Sequence, residues 1–148
     1  MHYRGLLLLC CLGASVLIAA HASPFSSPKG SAAHVSAAIN YHTSAAAMGN
    51  KAEGMELIST IPESDWQTMI SYYRKALHEA QQADIADMNG DYPGFGDHFR
   101  DEFIEGLKLI LDNDAGLARV PAFTRGQILM HRFGDWYEAN FDAIRHKK

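Results

Sequence analysis

The sequence predicts an all-α protein, a small antiparallel helical bundle that follows a cleaved signal peptide. Three observations carry that expectation. Apolar residues recur at three- and four-residue steps through three long segments. Breaks rich in glycine and proline separate those segments by only short connections. No stretch of useful length alternates with the two-residue period of a strand.

The N-terminal stretch reads as a targeting segment. Arg4 gives a basic start, Leu6 to Ala20 is an apolar run, and Ala20-His21-Ala22 offers the small-x-small pattern that the shallow subsites of a signal peptidase accept. Fifteen residues rise only about 22 Å as a helix, short of a hydrocarbon core of about 30 Å, so removal is expected rather than retention as an anchor. The expected division is residues 1–22 as signal peptide, 23–30 as a flexible leader and 31–148 as a single helical domain. Cys10 and Cys11 leave with the signal, which would deprive the mature chain of any disulfide, thiolate metal site or cysteine nucleophile. With no Asn-x-Ser/Thr sequon present either, the expected destination is a bacterial periplasm, with an extracellular one as the alternative.

Ser31 to Met48 is rich in alanine, strong in helix propensity and weak in amphipathic contrast, and is the candidate fourth helix. Lys51 to Ser59 could add a turn or two. Thr60-Ile-Pro-Glu63 and Ser64-Asp-Trp-Gln67 each fit a capping box, and Trp66, Met69, Ile70, Tyr73, Leu77 and Ala80 then form one stripe, so a helix is expected to about Ala86. Met88 to Gly96, with three glycines and a proline, is expected to break it. Asp97 is placed to cap the next helix, whose stripe is Phe99, Phe103, Leu107, Ile110 and Leu111, ending over Asn113 to Gly116. The last helix is expected from Pro121, or from the capping box Thr124-Arg-Gly-Gln127, and carries Leu129, Phe133, Trp136, Tyr137, Asn140, Phe141 and Ile144. Gly126 and Gly134 inside it, Gly134 above all, imply close packing against a neighbour.

All seventeen carboxylates fall after residue 22, against twelve Lys and Arg, so the mature net charge is about −5, which argues against nucleic acid as a partner. Ten carboxylates crowd between Glu79 and Asp114, where Arg100 and Lys108 are the only Lys or Arg. The Tyr92-Pro-Gly-Phe-Gly96 turn sets two aromatics beside this acidic stretch. Tyr92, Phe95, Asp97, Asp101 and Glu105 are therefore the candidate partner-binding residues, for a protein partner of basic character such as the target of an inhibitor or immunity-type protein.

The alternative is a metal- or cofactor-binding bundle, with enzymatic activity left open. His98 and Glu102 are four residues apart, as are His131 and Asp135, and two antiparallel helices could bring the four to one divalent metal. Neither Glu-x-x-His nor His-Glu-x-x-His occurs. Asp87 to Asp91 fails the register of a calcium loop, because Ile85 would stand where a carboxylate is required. Methionine and histidine ligands for a haem are available on paper, but core methionine and surface histidine account for the same residues. No nucleophile elbow or phosphate-binding glycine loop is present, so no cofactor and no catalytic residue is predicted. N-terminal sequencing of the exported protein should begin at Ser23; a chain that retains Leu6 to Ala20 would overturn the division.

Overall fold

The computed structural model describes residues 31–50, 61–112 and 119–146. The expected signal peptide and leader, the turns expected over 51–59 and the helix end expected over 113–116 lie outside them. The described chain is helical, without strands, and compatible with a small bundle. Its elements are α1 (Ser31–Asn50), α2 (Glu63–Gln82), α3 (Ile85–Asp91), α4 and α5 (Arg119–His146). α4 is one rod of three runs, Phe95–His98, a π-helical segment Phe99–Ile104 and Glu105–Leu111. No helix among the described residues is long and apolar enough to cross a membrane.

α1 and α2 lie antiparallel. Ser31 meets Asp84, His34 meets Glu79, and Tyr41 and His42 meet Tyr72 and Tyr73. The buried face of α1 is Val35, Ala38, Ile39, His42, Ala45 and Ala46, a three-and-four stripe. Its contrast is weak because three of those six are alanine and one is histidine. On α2, Trp66, Met69, Ile70, Tyr73 and Ala80 of the expected stripe are buried, with Ala76, while Leu77 is only partly covered. Thr60 of the first capping box lies outside the described residues, and the second box does not form as expected. Pro62, which has no side-chain acceptor, stands at the N-cap, and Ser64 lies inside the helix, where its carbonyl accepts from the Thr68 hydroxyl.

α2 ends at Gln82 rather than near Ala86. Ala83 and Asp84 turn extended, the Asp84 side chain accepts from the Asp87 amide, and its own amide donates to Ser31 Oγ. The predicted break at Met88 is thereby displaced: Met88 to Asp91 belong to α3, and the turn is at Tyr92–Gly94. Gly94 sits at φ +84°, which glycine adopts without steric cost. α4 therefore starts at Phe95, and Asp97, expected as its cap, lies in the first turn. At the other end, α5 starts at Arg119, which puts Pro121 in its first turn and Thr124 inside it, so that capping box is not a cap either.

α4 and α5 also run antiparallel. Going along α4, Phe95, His98, Phe103 and Gly106 meet Tyr137, Trp136, Phe133 and Gly126. Phe95, Phe99, Phe103 and Leu107 are all buried at four-residue spacing. In a plain α-helix that spacing turns about 40° per step, so the ladder would rotate off the core face. The wider i→i+5 turn of the π segment slows the rotation and keeps the ladder aligned, with Phe99 and Phe103 stacked at 4.9 Å.

The backbones touch at Gly106 and Gly126. A Cβ at Gly106 would stand 2.8 Å from the Gly126 carbonyl oxygen, and a Cβ at Gly126 would stand 2.4 Å from that of Gly106. The close approach expected at Gly126 is thus found there. Gly126→Ala or Gly106→Ala should destabilise by about 1–3 kcal/mol despite the better helix propensity of alanine, read as a lower denaturation midpoint. Gly90→Ala, in a helix with nothing within 4 Å of the new methyl, should instead stabilise by about 0.5–1 kcal/mol.

Candidate functional site

Two groupings concentrate chemistry, one on the surface at the start of α4 and one inside the bundle. The surface grouping forms where the Gly94 turn brings α4 back against α5. Tyr92 is half-buried, its hydroxyl donates to Asn140 Oδ1 at 2.9 Å, and its ring meets Trp136 edge-on at 6.1 Å. His98 stacks on Trp136 at 4.3 Å with an interplanar angle of 22°. Tyr92, His98 and Trp136 all keep part of their surface in water.

Phe95, expected beside Tyr92 on a binding loop, is corrected by its position. It is fully buried and packs against Phe99, Phe133, Trp136 and Tyr137, so the glycines around it turn the ring inward to close the end of the core.

Asp97, Asp101 and Glu105 are exposed along one side of α4. Each has a partner. Arg100 lies 3.3 Å from Asp97 and 2.8 Å from Asp101, and Lys108 lies 3.2 Å from Glu105. The hydrogen bond from Arg100 holds the Asp101 carboxyl below the usual carboxylate range. Asn89 exchanges two hydrogen bonds with Asp97, one to its side chain and one from its amide, which ties α3 to the start of α4. Exposed pairs of this kind contribute little to stability, so the acidic face is available at small energetic cost.

The four candidate metal ligands divide. His98 Nδ1 and Glu102 Oε2 are 3.6 Å apart, too long for a hydrogen bond, and Arg132 holds the other Glu102 oxygen at 3.2 Å. The Glu102 carboxylate is largely buried, its Oε1 ties α4 to α5 through Arg132, and its Oε2 has no hydrogen-bond partner. His131 points instead into the bundle, while Asp135 is exposed. Among the described residues no group of three or more His, Cys, Asp or Glu side chains could hold a metal ion.

The interior grouping was not anticipated. His42 on α1, Tyr73 on α2, and Gln127 and His131 on α5 are all buried, which corrects the reading of these histidines as surface residues. The His42 ring packs against Tyr73 and edge-on against Phe103. Gln127 Nε2 donates to the Tyr73 hydroxyl through a short hydrogen bond. His42 Nε2 and Gln127 Oε1 are buried without a hydrogen-bond partner. Burial pushes the His42 ring down to about 3, with His131 adding to the effect, and burial also lowers His131, against an opposing attraction from Asp135. Burial raises the Tyr73 phenol, so all three core groups are neutral at pH 7.

The stripe at 35, 38, 39, 42, 45 and 46 was the signal that could have placed His42 inside. For Gln127, no comparable signal exists in the sequence. Comparison of the chain with known protein families, curated proteins and solved structures finds no match.

The paired deletion separates the two halves of the Tyr73–Gln127 bond. Tyr73→Phe should cost about 1–3 kcal/mol, since it strands the buried Gln127 amide. Adding Gln127→Leu should recover most of that loss in chemical denaturation, because both polar groups are then gone.

Proposed function

We propose that the protein is an exported helical binding module, of inhibitor or immunity type, that engages a basic partner protein. The observation that carries this is the half-exposed Tyr92–His98–Trp136 surface beside the exposed carboxylates Asp97, Asp101 and Glu105. Aromatic side chains that keep a face in water supply large contact area at low entropic cost, which is why tryptophan and tyrosine dominate binding hot spots. Trp136 is already oriented by its stack on His98 and its edge contacts with Tyr92 and Phe95, so little ordering remains to oppose binding.

The carboxylates complement this by steering. Asp84, Asp87, Asp97, Asp101, Glu105 and Asp112 are exposed on α3, α4 and the residues flanking them, against Arg100 and Lys108. The excess survives the local pairing and favours encounter with a positive surface, mainly through the association rate. Export to the periplasm, on the N-terminal targeting pattern, would place such a module where it could meet a basic hydrolase or toxin.

The test uses the exported protein as bait against the envelope fraction of its own organism, followed by kinetics with the partner recovered. Trp136→Ala, checked for retained helicity, should weaken binding by roughly 30-fold or more, mostly through faster dissociation. Asp97→Asn, Asp101→Asn and Glu105→Gln together should slow association and flatten its salt dependence. Unchanged affinity in the first variant, with unchanged salt dependence in the second, would sink the reading.

A further inference from the structure

We propose that the C-terminal half of α1, Tyr41 to Asn50, is an acid-released strap, which undocks from the bundle when His42 takes up a proton. The first support is what holds it down. Among the described residues of that half the buried side chains are His42, Ala45 and Ala46, with Met48 and Tyr41 only partly covered, Tyr41 stacking on Tyr72 at the edge of the contact, so the imidazole is the largest fully enclosed group. Two alanine methyls bury little area, and with the histidine out of place the segment keeps only those and the partly exposed Tyr41 and Met48 against the bundle.

The second support is the set of groups around the ring. His42 faces Tyr73 from α2, Phe103 from α4 and the field of His131 from α5. Asp135 acts on His131 from the exposed side of α5, and Glu102, beside Phe103 on α4, is paired with Arg132 through one oxygen. None of the groups acting on His42 is an anion, and its Nε2 has no hydrogen-bond partner. An imidazolium formed there would be a buried charge beside a second histidine, with no partner to offset its desolvation.

The third support is topological. α1 packs principally on α2, whereas the Phe95–Phe99–Phe103 ladder closes against Phe133 and Tyr137 without it. The N-terminal half of α1 is pinned separately, by Val35 and Ile39 in the core, by the Ser31–Asp84 hydrogen bond and by His34 against Glu79 at 2.7 Å. Release therefore begins at the His42 end, with the rest of the bundle in place, and uncovers the rings of Tyr73 and Phe103.

The sign follows from which form the docked state holds. The docked ring is neutral, with its proton affinity depressed from 6.5 to about 3. Docking is therefore at full strength above about pH 6.5 and weakens as pH falls from there toward about 3. Each pH unit in that window multiplies the undocked fraction by about tenfold.

Hydrogen–deuterium exchange of the whole chain, at about pH 7 and about pH 4.5 with labelling times scaled for intrinsic exchange, reads this directly. Protection of the amides from Tyr41 to Met48 should fall by roughly 100-fold and should lie well below that of Leu107 to Leu111 and Gln127 to Tyr137 at both pH values, since those exchange only through wider opening. His42→Phe, or His42→Leu if the larger ring does not fold, should abolish the difference between the two pH values. Equal protection of Tyr41 to Met48 at both pH values, protection as high as that of α4 and α5, or an undiminished response in the folded variant would each overturn the proposal.

Discussion

The contact between the Gly106 and Gly126 backbones governs the rest of the arrangement. Each glycine is the surface against which the other helix rests, and no side chain fits between them. One turn nearer the start of α4 the space between the same two helices is filled by rings, with Phe103, Phe99 and Phe95 packed on Phe133 and Tyr137. A crossing held that close can accommodate a four-residue aromatic ladder only if the ladder stays on one face, and the π segment provides that alignment. The same wide turn carries Glu102, whose largely buried carboxylate pairs with Arg132 on the partner helix and lies near His98 on its own. Backbone approach, aromatic core and surface ion cluster thus belong to a single solution of the α4–α5 pairing.

The polar groups of the interior are distributed unequally. Tyr73 and Gln127 satisfy each other in part, joining α2 to α5 through the centre. His42 and the Gln127 carbonyl retain unmet hydrogen-bonding capacity. Buried groups of this kind specify an arrangement more than they stabilise it, because any alternative packing must also accommodate them. Their cost is borne at the α1 side, where alanines dominate the contact. The α4–α5 side, lined with large rings, carries the main hydrophobic stabilisation.

The candidate partner surface was legible in its charged half and misread in its aromatic half. Asp97, Asp101 and Glu105 recur at steps of four on a helix whose apolar face is plain, so their exposure followed from periodicity. Phe95 and Tyr92 sit in a turn of glycine and proline, where periodicity says nothing about direction. The φ of Gly94 turns Phe95 into the core and leaves Tyr92 at the rim. Trp136 was assigned to the core stripe of α5, and its partial exposure depends on how far His98 and Tyr92 reach over it. The proposed metal quartet failed for a related reason. Four-residue spacing pairs His98 with Glu102 and His131 with Asp135, but the pairs meet only if both turn to the same side of the helix contact, and His131 turns into the bundle while Asp135 faces solvent. Here Glu102 faces Arg132 instead.

The sequence by itself determined the all-helical class, the inward stripes of α2, α4 and α5, and the charge asymmetry, because each of these is a local property repeated with helical period. It also marked Gly126 as a place of close packing, although without its partner. Tertiary structure alone decided where helices begin and end around Asp84 and Gly94, since those ends depend on Ser31 and on the docking of α4. It alone paired Gly106 with Gly126 and enclosed His42. Both follow from the register of helices that are distant in the chain, and a helical period fixes which face is buried, not what that face meets.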